Sequence, residues 1–397
     1  MVKNSKTLST DIKASNASLI LSLVRESAPV SRADISRMTG LTRATVSALI
    51  GALIEYGYLE EIGFNEPGSV GKRAKLIDVK TDKIFALAIK FSYHSIYMAK
   101  VDLRGQLHGL TKQPLIRESQ EQAVEVLLGM AREMLKNSSE KGEVCAGIGL
   151  AVPSPIKDGV MAYSSSFHCL EGVNFEAILK NEFGRPTYVN NDADAASLAE
   201  MWFGGYPMGS NLAFVLMHQG IGCGFMRDKE LYSRGIQTSN EFGHTRIESG
   251  GPACFCGKEG CLVSFASDWA IYQRLPAKIK RQIEREVTDD RFSSIEKMMQ
   301  HMKVYPEIYS DYTSEAAKYL GIGLSNLVVM FTPDVIVLEG GMLDLPGFLP
   351  MVEETCRVNT HPMFKNTYRI SRSKLQADAS LIGAGTYFLK DVYADPF

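Results

Sequence analysis

The sequence of 397 residues has little net charge, because 43 Lys and Arg side chains stand against 45 Asp and Glu, a formal total of -2. This balance argues against a chain that binds a polyanion along its whole length. The sequence also lacks any run of about 20 apolar residues. Its first residues, Met1 to Lys6, lead into no apolar signal segment. We therefore expect a cytoplasmic protein that does not insert into a membrane.

A disulfide framework is missing as well, since seven cysteines cannot all pair within one chain. Three of the seven lie within residues 254–261, a cluster that in a reducing compartment indicates a metal site. No internal repeat of 20–50 residues is present, which excludes solenoids and propellers. The length suggests two or three domains.

The small net charge is unevenly distributed along the chain. Residues 1–80 carry 11 Lys and Arg against 8 Asp and Glu, whereas the remainder carries 32 against 37. This asymmetry indicates that the first segment contacts an anion such as DNA.

The first segment has the apolar spacing of short amphipathic helices. Asn16 is expected to cap the first helix, with Leu19 on its apolar face, and Pro29 to end it. Ser31 is expected to cap the second helix, in which Met38 faces inward.

A third helix is expected to begin at Thr42, after a glycine turn at Gly40. The face opposite its apolar stripe carries small polar residues and one arginine: Thr42, Arg43, Thr45 and Ser47. This pattern is typical of a helix-turn-helix, whose second helix enters the major groove.

Two strand-like runs, 58–62 and 74–79, follow the third helix and flank a loop that ends in Lys72 and Arg73. A winged helix would place this basic loop against phosphates or the minor groove. We therefore expect residues 1–80 to form a winged helix-turn-helix DNA-binding domain. A three-helix protein-interaction domain is the alternative.

Residues 81–397 alternate between apolar strand-like runs and amphipathic helices, a pattern typical of layered α/β domains. Examples of the strand-like runs are 84–90, 96–102, 145–152, 211–217 and 335–338.

One imidazole and three thiols form the most distinctive group in the chain: His244, Cys254, Cys256 and Cys261. This donor set suits tetrahedral Zn²⁺, and four protein ligands leave no position for a catalytic water. We expect one structural zinc ion per chain. Free buried cysteines beside an unrelated histidine are the alternative, and the C-x-C spacing argues against a redox pair.

These motifs together resemble the ROK family of sugar kinases and sugar-responsive repressors. The resemblance is carried by Gly-Ile-Gly-Leu-Ala-Val-Pro-Ser-Pro at 147–155, Asn191-Asp192-Ala-Asp-Ala-Ala, Glu241-Phe-Gly-His244 and the Cys254-x-Cys256-x4-Cys261-Leu loop. With the N-terminal domain, the chain is similar to the repressor branch. The resemblance implies an actin-like, ribonuclease-H-like fold of two lobes over residues 81–397, a sugar in the cleft, and homodimers or tetramers.

The same resemblance implies that the kinase machinery is degenerate. ROK kinases carry Asp-x-Gly-Gly-Thr in the first hairpin, and here Lys90 replaces the acid while Tyr93 replaces a glycine. Lysine cannot ligate Mg²⁺, and the tyrosine would fill the space that phosphate requires. His218 and Gln219 replace the glycine and threonine of the second phosphate turn. Asp192 keeps the position of the kinase's general base.

The sugar side is better preserved. Asn191, Asp192, Glu241 and His244 match the family's contacts to sugar hydroxyls, although capping of the following helix is an alternative role for the first two. His244 would bind zinc through one ring nitrogen and sugar through the other. Val263 replaces the usual glutamate, so the identity of the sugar or sugar phosphate stays open.

The sequence thus predicts a sugar-responsive regulator that binds operator DNA, represses genes of carbohydrate uptake or catabolism, and lacks kinase activity. Two alternatives stay open. One is an ATP-dependent ROK sugar kinase with an accessory DNA-binding domain, and the other is a repressor controlled by a protein partner.

Overall fold

A computed structural model of the chain describes residues 5–64, 74–116, 118–162, 167–207, 209–232, 240–284 and 291–397. The described residues form an N-terminal domain followed by two lobes, each built on a five-stranded sheet. None of the helices in these residues has the length and apolar character needed to cross a lipid bilayer.

The N-terminal domain contains three helices and a three-stranded sheet. Its elements are α1 (Ser5–Ser27), β1 (Val30–Ser31), α2 (Arg32–Thr39), α3 (Arg43–Glu55), β2 (Leu59–Phe64) and β3 (Lys75–Val79). Strands β2 and β3 pair antiparallel, and β1 pairs antiparallel with the other edge of β3. This arrangement confirms the expected helix-turn-helix followed by a hairpin.

Side-chain caps fix where α2 and α3 begin, as the sequence predicts. Ser31 and Asp34 form a capping box at the start of α2. At the start of α3, the backbone N–H of Thr45 donates to the Thr42 hydroxyl over 3.2 Å. Each such cap contributes about 1 kcal/mol of stability. The turn between the two helices begins at Gly40, in the left-handed conformation with φ of 72°.

Three expectations for the first two helices are wrong. Helix α1 begins at Ser5, so Asn16 lies in its middle, because no Pro or Gly in residues 5–15 interrupts the helix. Leu19 is 46% exposed, since other apolar side chains of α1 fill the buried stripe. Met38 is 57% exposed, because the eight-residue helix α2 buries only Ile35.

The first lobe contains a sheet of the order β10-β7-β4-β5-β6. Its elements are β4 (Ile84–Phe91), β5 (Ser95–Asp102), β6 (Leu107–Pro114), α4 (Gln120–Glu140), β7 (Val144–Val152), β8 (Ile156–Lys157), β9 (Val160–Met161), α5 (Phe175–Phe183), β10 (Thr187–Asn191) and α6 (Asp192–Phe203).

The second lobe contains a sheet of the order β13-β12-β11-β14-β15. Its elements are β11 (Leu212–Met217), β12 (Ile221–Arg227), β13 (Glu230–Leu231), α7 (Val263–Ala266), α8 (Asp268–Arg274), α9 (Ala277–Glu284), α10 (Arg291–Val304), α11 (Ser310–Phe331), β14 (Val335–Glu339), α12 (Phe348–Asn359), β15 (Arg369–Arg372) and α13 (Ala379–Ala394).

The two sheets have the same topology. In each, an antiparallel edge of three consecutive strands is followed by two strands added in parallel. The helix after each sheet's last strand packs on the opposite lobe. Helix α6 follows β10 but lies against β11 and β12, and α13 follows β15 but lies against β4 and β7. These crossed helices tie the two lobes together.

Glycines allow the crossed helices to approach closely. A Cβ on Gly383 of α13 would lie 1.8 Å from the carbonyl oxygen of Ala195 in α6, and a Cβ on Gly149 of β7 would lie 1.8 Å from the carbonyl oxygen of Ala384. No side chain fits at such distances. Gly149, part of the motif at 147–155, therefore serves helix packing.

One continuous hydrophobic core joins the N-terminal domain to the first lobe. It includes Ile20 and Val24 of α1, Leu53 of α3, and Leu389 and Tyr393 of α13, all nearly or fully buried. The contact of α1 with α13 places the N-terminal domain on a helix that begins at the cleft between the lobes.

Candidate functional site

A cleft of about 1260 Å³ separates the two lobes. All four sequence-predicted sugar residues line it, together with the four residues named as departing from the kinase pattern: Asn191, Asp192, Glu241, His244, Lys90, Tyr93, His218 and Gln219. The carboxyl ends of β4 and β10 supply the first-lobe side, and the hairpin of β11 and β12 with the cysteine-rich loop supplies the opposite side.

The Asn191 side chain makes two hydrogen bonds to the backbone at the end of β10. The backbone N–H of Ala193 donates to Asn191 Oδ1 over 2.9 Å, which caps α6, and Asn191 Nδ2 donates to the Ser154 carbonyl over 3.3 Å. The capping role considered for Asn191 is therefore present, while the residue also faces the cleft.

Asp192, the first residue of α6, is the nearest carboxyl to this cap. Burial raises its pKa to about 6, although the charges of Lys90 and His218 act in the opposite direction. Lys90 Nζ is held in place, because it donates to the Ala377 carbonyl over 3.2 Å. At neutral pH the cleft thus contains a carboxylate beside two groups that carry or can carry positive charge.

The predicted metal ligands converge in the folded chain. The ligand atoms of His244, Cys254, Cys256 and Cys261 all lie within 4.8 Å of one another. Cys256 Sγ and Cys261 Sγ are 3.8 Å apart, which is about the edge of a tetrahedron with Zn–S bonds of about 2.3 Å. Cys254 Sγ lies 3.4 Å from His244 Nδ1. The donor set and its spacing fit a four-coordinate zinc ion.

The two ring nitrogens of His244 face different surroundings. Its Nδ1 faces the cysteines, while its Nε2 lies 3.8 Å from Oε2 of Glu241, whose side chain is about half exposed to the cleft. Burial lowers the pKa of His244, which favours the neutral imidazole that metals bind. A metal on Nδ1 would fix the proton on Nε2 and aim that N–H at the cleft.

The turn of His218, where the sequence predicts a degenerate phosphate turn, carries an ion pair. His218 Nε2 lies 2.9 Å from Oε2 of Glu339 at the end of β14. Burial alone would lower the pKa of His218, but the carboxylates of Glu339 and Asp268 together outweigh it and the pKa is raised. Tyr93 stacks on Phe167 with ring centres 5.8 Å apart, so its ring is held at the cleft wall.

Two acidic residues of the cleft, Asp268 and Glu339, were missed in the sequence. They are 5% and 8% exposed. Burial raises the pKa of Asp268 to about 6, against the effect of His218. Glu339 precedes Gly340 at the end of a predicted strand, a signal that was available. Asp268 follows the helix cap Ser267 and had no such signal.

The predicted DNA contacts are only partly described. Thr42, Arg43 and Ser47 are exposed at the start of α3, and Thr45, whose backbone N–H donates to the Thr42 hydroxyl, is half-buried. Lys72 and Arg73 lie outside the described residues. Val263, buried as the first residue of α7, lines the cleft at the position where the family resemblance implies a glutamate in other members.

Comparisons with known proteins agree with this architecture. The family model described as "ROK family" matches residues 87–391, and the model described as "IclR helix-turn-helix domain" matches residues 14–63. The xylose repressor of Caldicellulosiruptor bescii is 27% identical over 98% of this chain and 98% of its own. The DNA-binding transcriptional dual regulator NagC of Escherichia coli K12 is 24% identical over 94% and 92%.

Two solved structures share the fold. A ROK family transcriptional regulator that is a homologue of E. coli MLC protein superposes with a TM-score of 0.74, at 22% identity and 97% coverage of both chains. A ROK hexokinase from Thermus thermophilus superposes with a TM-score of 0.62, at 26% identity, covering 77% of this chain and 99% of its own. The regulator therefore matches almost the whole architecture, and the hexokinase about three quarters of it.

Proposed function

This chain belongs to the ROK family, and we propose that it is a sugar-responsive transcriptional repressor of carbohydrate uptake or catabolism genes. The observation that carries this proposal is the hydrophobic core shared by the winged helix and by α13, a helix that begins at the cleft. Relatives named as a xylose repressor and as a DNA-binding transcriptional dual regulator align along nearly the whole chain.

The cleft is suited to a sugar. Asp192 and Glu241 accept hydrogen bonds from hydroxyls, and His244 Nε2 donates one when a metal holds Nδ1. One Zn²⁺ ion per chain would fix the conformation of the loop that carries Glu241 and His244. Asn191 contributes mainly by holding the turn that presents Asp192. The effector is a small sugar or a sugar phosphate.

We infer that the protein has no kinase activity. Lys90 stands where kinases place a Mg²⁺-binding acid, and its ammonium group interacts with Asp192, the residue at the position of the general base. His218, in the second phosphate turn, forms an ion pair with Glu339 at the end of β14. The alternative of a sugar kinase rests on Asp192, which is present and has a pKa near 6.

DNA binding is assigned to the exposed start of α3, which would place Thr42, Arg43, Thr45 and Ser47 in the major groove. Lys72 and Arg73 would contact the phosphate backbone of the DNA. A net of +3 in residues 1–80 is small for a DNA-binding module. Affinity therefore depends on pairing two modules in a homodimer or tetramer, which doubles the phosphate contacts.

Sugar and DNA binding are coupled through the crossed helices. Both α6 and α13 begin at the cleft, and each packs on the lobe opposite to the strand that precedes it. A sugar that favours one arrangement of the lobes therefore displaces the far ends of both helices, where α1 lies. Such a ligand shifts DNA affinity only by its differential affinity for the two arrangements, and about 2.7 kcal/mol corresponds to a 100-fold effect.

Two assays on the full chain separate repressor from kinase. The repressor predicts salt-dependent binding to a palindrome from the promoter region of its own gene, and no phosphorylation of pentoses or hexoses with MgATP. Sugar phosphorylation that Asp192→Asn abolishes would instead establish the kinase with an accessory DNA-binding domain, whether or not the palindrome is bound. If a protein partner controls the repressor, the palindrome is bound but no sugar raises the thermal midpoint.

A further inference from the structure

The floor of the cleft contains a buried acceptor that the protein itself leaves unused. Asp268 is 5% exposed, lines the cleft, and its Oδ1 has no hydrogen-bond partner among the described residues. A buried carboxylate oxygen without a donor destabilises the protein, because it has given up its hydrogen bonds to water without replacement. Asp268 lies near His218 and Glu339, which form the ion pair at the same side of the cleft.

We propose that Asp268, His218 and Glu339 form a second sugar subsite, so that the effector is at least a disaccharide. One ring lies at Asp192, Glu241 and His244, and hydroxyls of the next ring donate to Asp268. This inference rests on the proposed function, because it presumes that the cleft binds sugar.

The two subsites are continuous. His218 lines the cleft and is close enough to interact electrostatically with both Asp192 and Asp268, so it links the first ring position to the second. The cleft volume of about 1260 Å³ also exceeds the roughly 300–1,000 Å³ of ordinary small-molecule pockets. A single monosaccharide would leave most of this space to water.

The charges of the second subsite select a neutral ligand. Its two carboxyls, those of Asp268 and Glu339, oppose a phosphate group. Lys90 and His218 already supply positive charge there, which opposes an ammonium group. Among the described residues, the only group of three or more side chains that brings metal-binding atoms together is the His244 cluster, so a cation site is not built here. Neutral hydroxyls are the donors that remain.

Isothermal titration with matched sugars tests the proposal. The probes are xylose and xylobiose, glucose and cellobiose, and N-acetylglucosamine and its β-1,4-linked dimer. For one of these pairs, the wild type should bind the disaccharide at least 10-fold more tightly than its monosaccharide. Asp268→Ala should weaken disaccharide binding at least 10-fold and monosaccharide binding less than 2-fold. Asp268→Asn, which keeps the shape of the side chain, serves if the alanine variant does not fold.

Glu296→Ala is the matched control, because Glu296 lies on α10 at the exposed rim of the same cleft. It should leave both affinities unchanged. The second subsite is overturned if the wild type binds the two members of each pair equally, or if the Asp268 variants weaken binding of both members equally. Neither result contradicts the proposed sugar-responsive repressor. Binding of no sugar of either size overturns the proposed function as well.

Discussion

The guanidinium of Arg25 lies over the ring of Trp202, 4.3 Å from its centre, and 5.1 Å from the ring centre of Tyr393. Arg25 belongs to α1 of the DNA-binding domain, Trp202 to the end of α6, and Tyr393 to the end of α13. The Arg25 side chain is only 6% exposed. With a rise of 1.5 Å per residue, Trp202 lies about 15 Å along α6 from Asp192 in the cleft.

Arg25→Ala should uncouple the sugar from DNA. Loss of a desolvated cation–π contact costs about 2 kcal/mol of stability. The far ends of α6 and α13 would also lose their cation–π contacts with α1. We expect sugar affinity and sugar-free DNA affinity to stay within about 3-fold of wild type, while the sugar-induced change in DNA affinity falls at least 5-fold. Fluorescence anisotropy with labelled operator, with and without saturating sugar, measures this.

The control for Arg25 is Arg132→Ala, which removes a surface arginine of α4 paired with Glu182. It should respond to sugar as the wild type does. An Arg25→Ala protein that keeps the full sugar response would show that the coupling takes another route.

The zinc assignment predicts one equivalent of metal per purified chain, measured by inductively coupled plasma mass spectrometry. Cys256→Ser should lose the metal, lower the thermal midpoint by several degrees, and weaken sugar binding, because the same loop carries Glu241 and His244. Cys169→Ser changes a cysteine outside the cluster and should leave metal content unchanged. A wild-type protein that is free of zinc and folds normally would refute the site.

The DNA interface predicts a specific loss from Arg43→Ala. Arg43 is exposed at the first position of α3, where side chains reach base edges or phosphates. Loss of its contact should cost about 1–3 kcal/mol, which is roughly 5- to 150-fold in operator affinity. Arg357→Ala, which removes an exposed arginine of α12, should have no effect. Equal operator affinities for Arg43→Ala and wild type would contradict this assignment.

Buried carboxyls should make stability depend on pH. Burial raises the pKa of Asp194 to about 7, with a further contribution from Asp192. Between the unfolded value of 3.8 and this folded value the native state binds more protons, so Asp194 contributes less stability as pH rises from about 4 to 7. Because one pKa unit corresponds to 1.36 kcal/mol, the change amounts to a few kcal/mol.

The matching variant is Asp194→Asn, which cannot titrate. Thermal midpoints measured from pH 4 to pH 8 should fall more steeply for the wild type than for Asp194→Asn. Asp192 and Asp268 titrate with the same sign in this range, so the variant should keep a shallower slope. Parallel curves for the two proteins would show that Asp194 is not the buried acid described here.

Local signals in the sequence predicted a large part of the fold. The caps at Ser31 and Thr42, the hairpin and the lobe strands follow from patterns within a few residues. The convergence of Cys254, Cys256 and Cys261 follows from spacing, because short loops bring such residues together. The predicted helix cap at Asn16 was wrong because a capping residue is informative only where a helix actually begins.

Relationships between distant segments could not be predicted. Arg25, Trp202 and Tyr393 come from three separate helices, and no local pattern indicates their contact. Asp268 becomes part of the cleft only because α8 packs beside the turn of His218. The repeated topology of the lobes was also invisible, since different side chains satisfy the same layers.

The central claim, that a sugar in the cleft changes the affinity of the winged helix for DNA, is tested most directly by one titration. The full-length protein is titrated into the labelled palindrome from its own promoter region, with and without the sugar that raises its thermal midpoint most. A change in Kd of at least 10-fold, about 1.4 kcal/mol, is predicted. A sugar that binds and stabilises the protein yet leaves the DNA Kd within 2-fold would contradict the account.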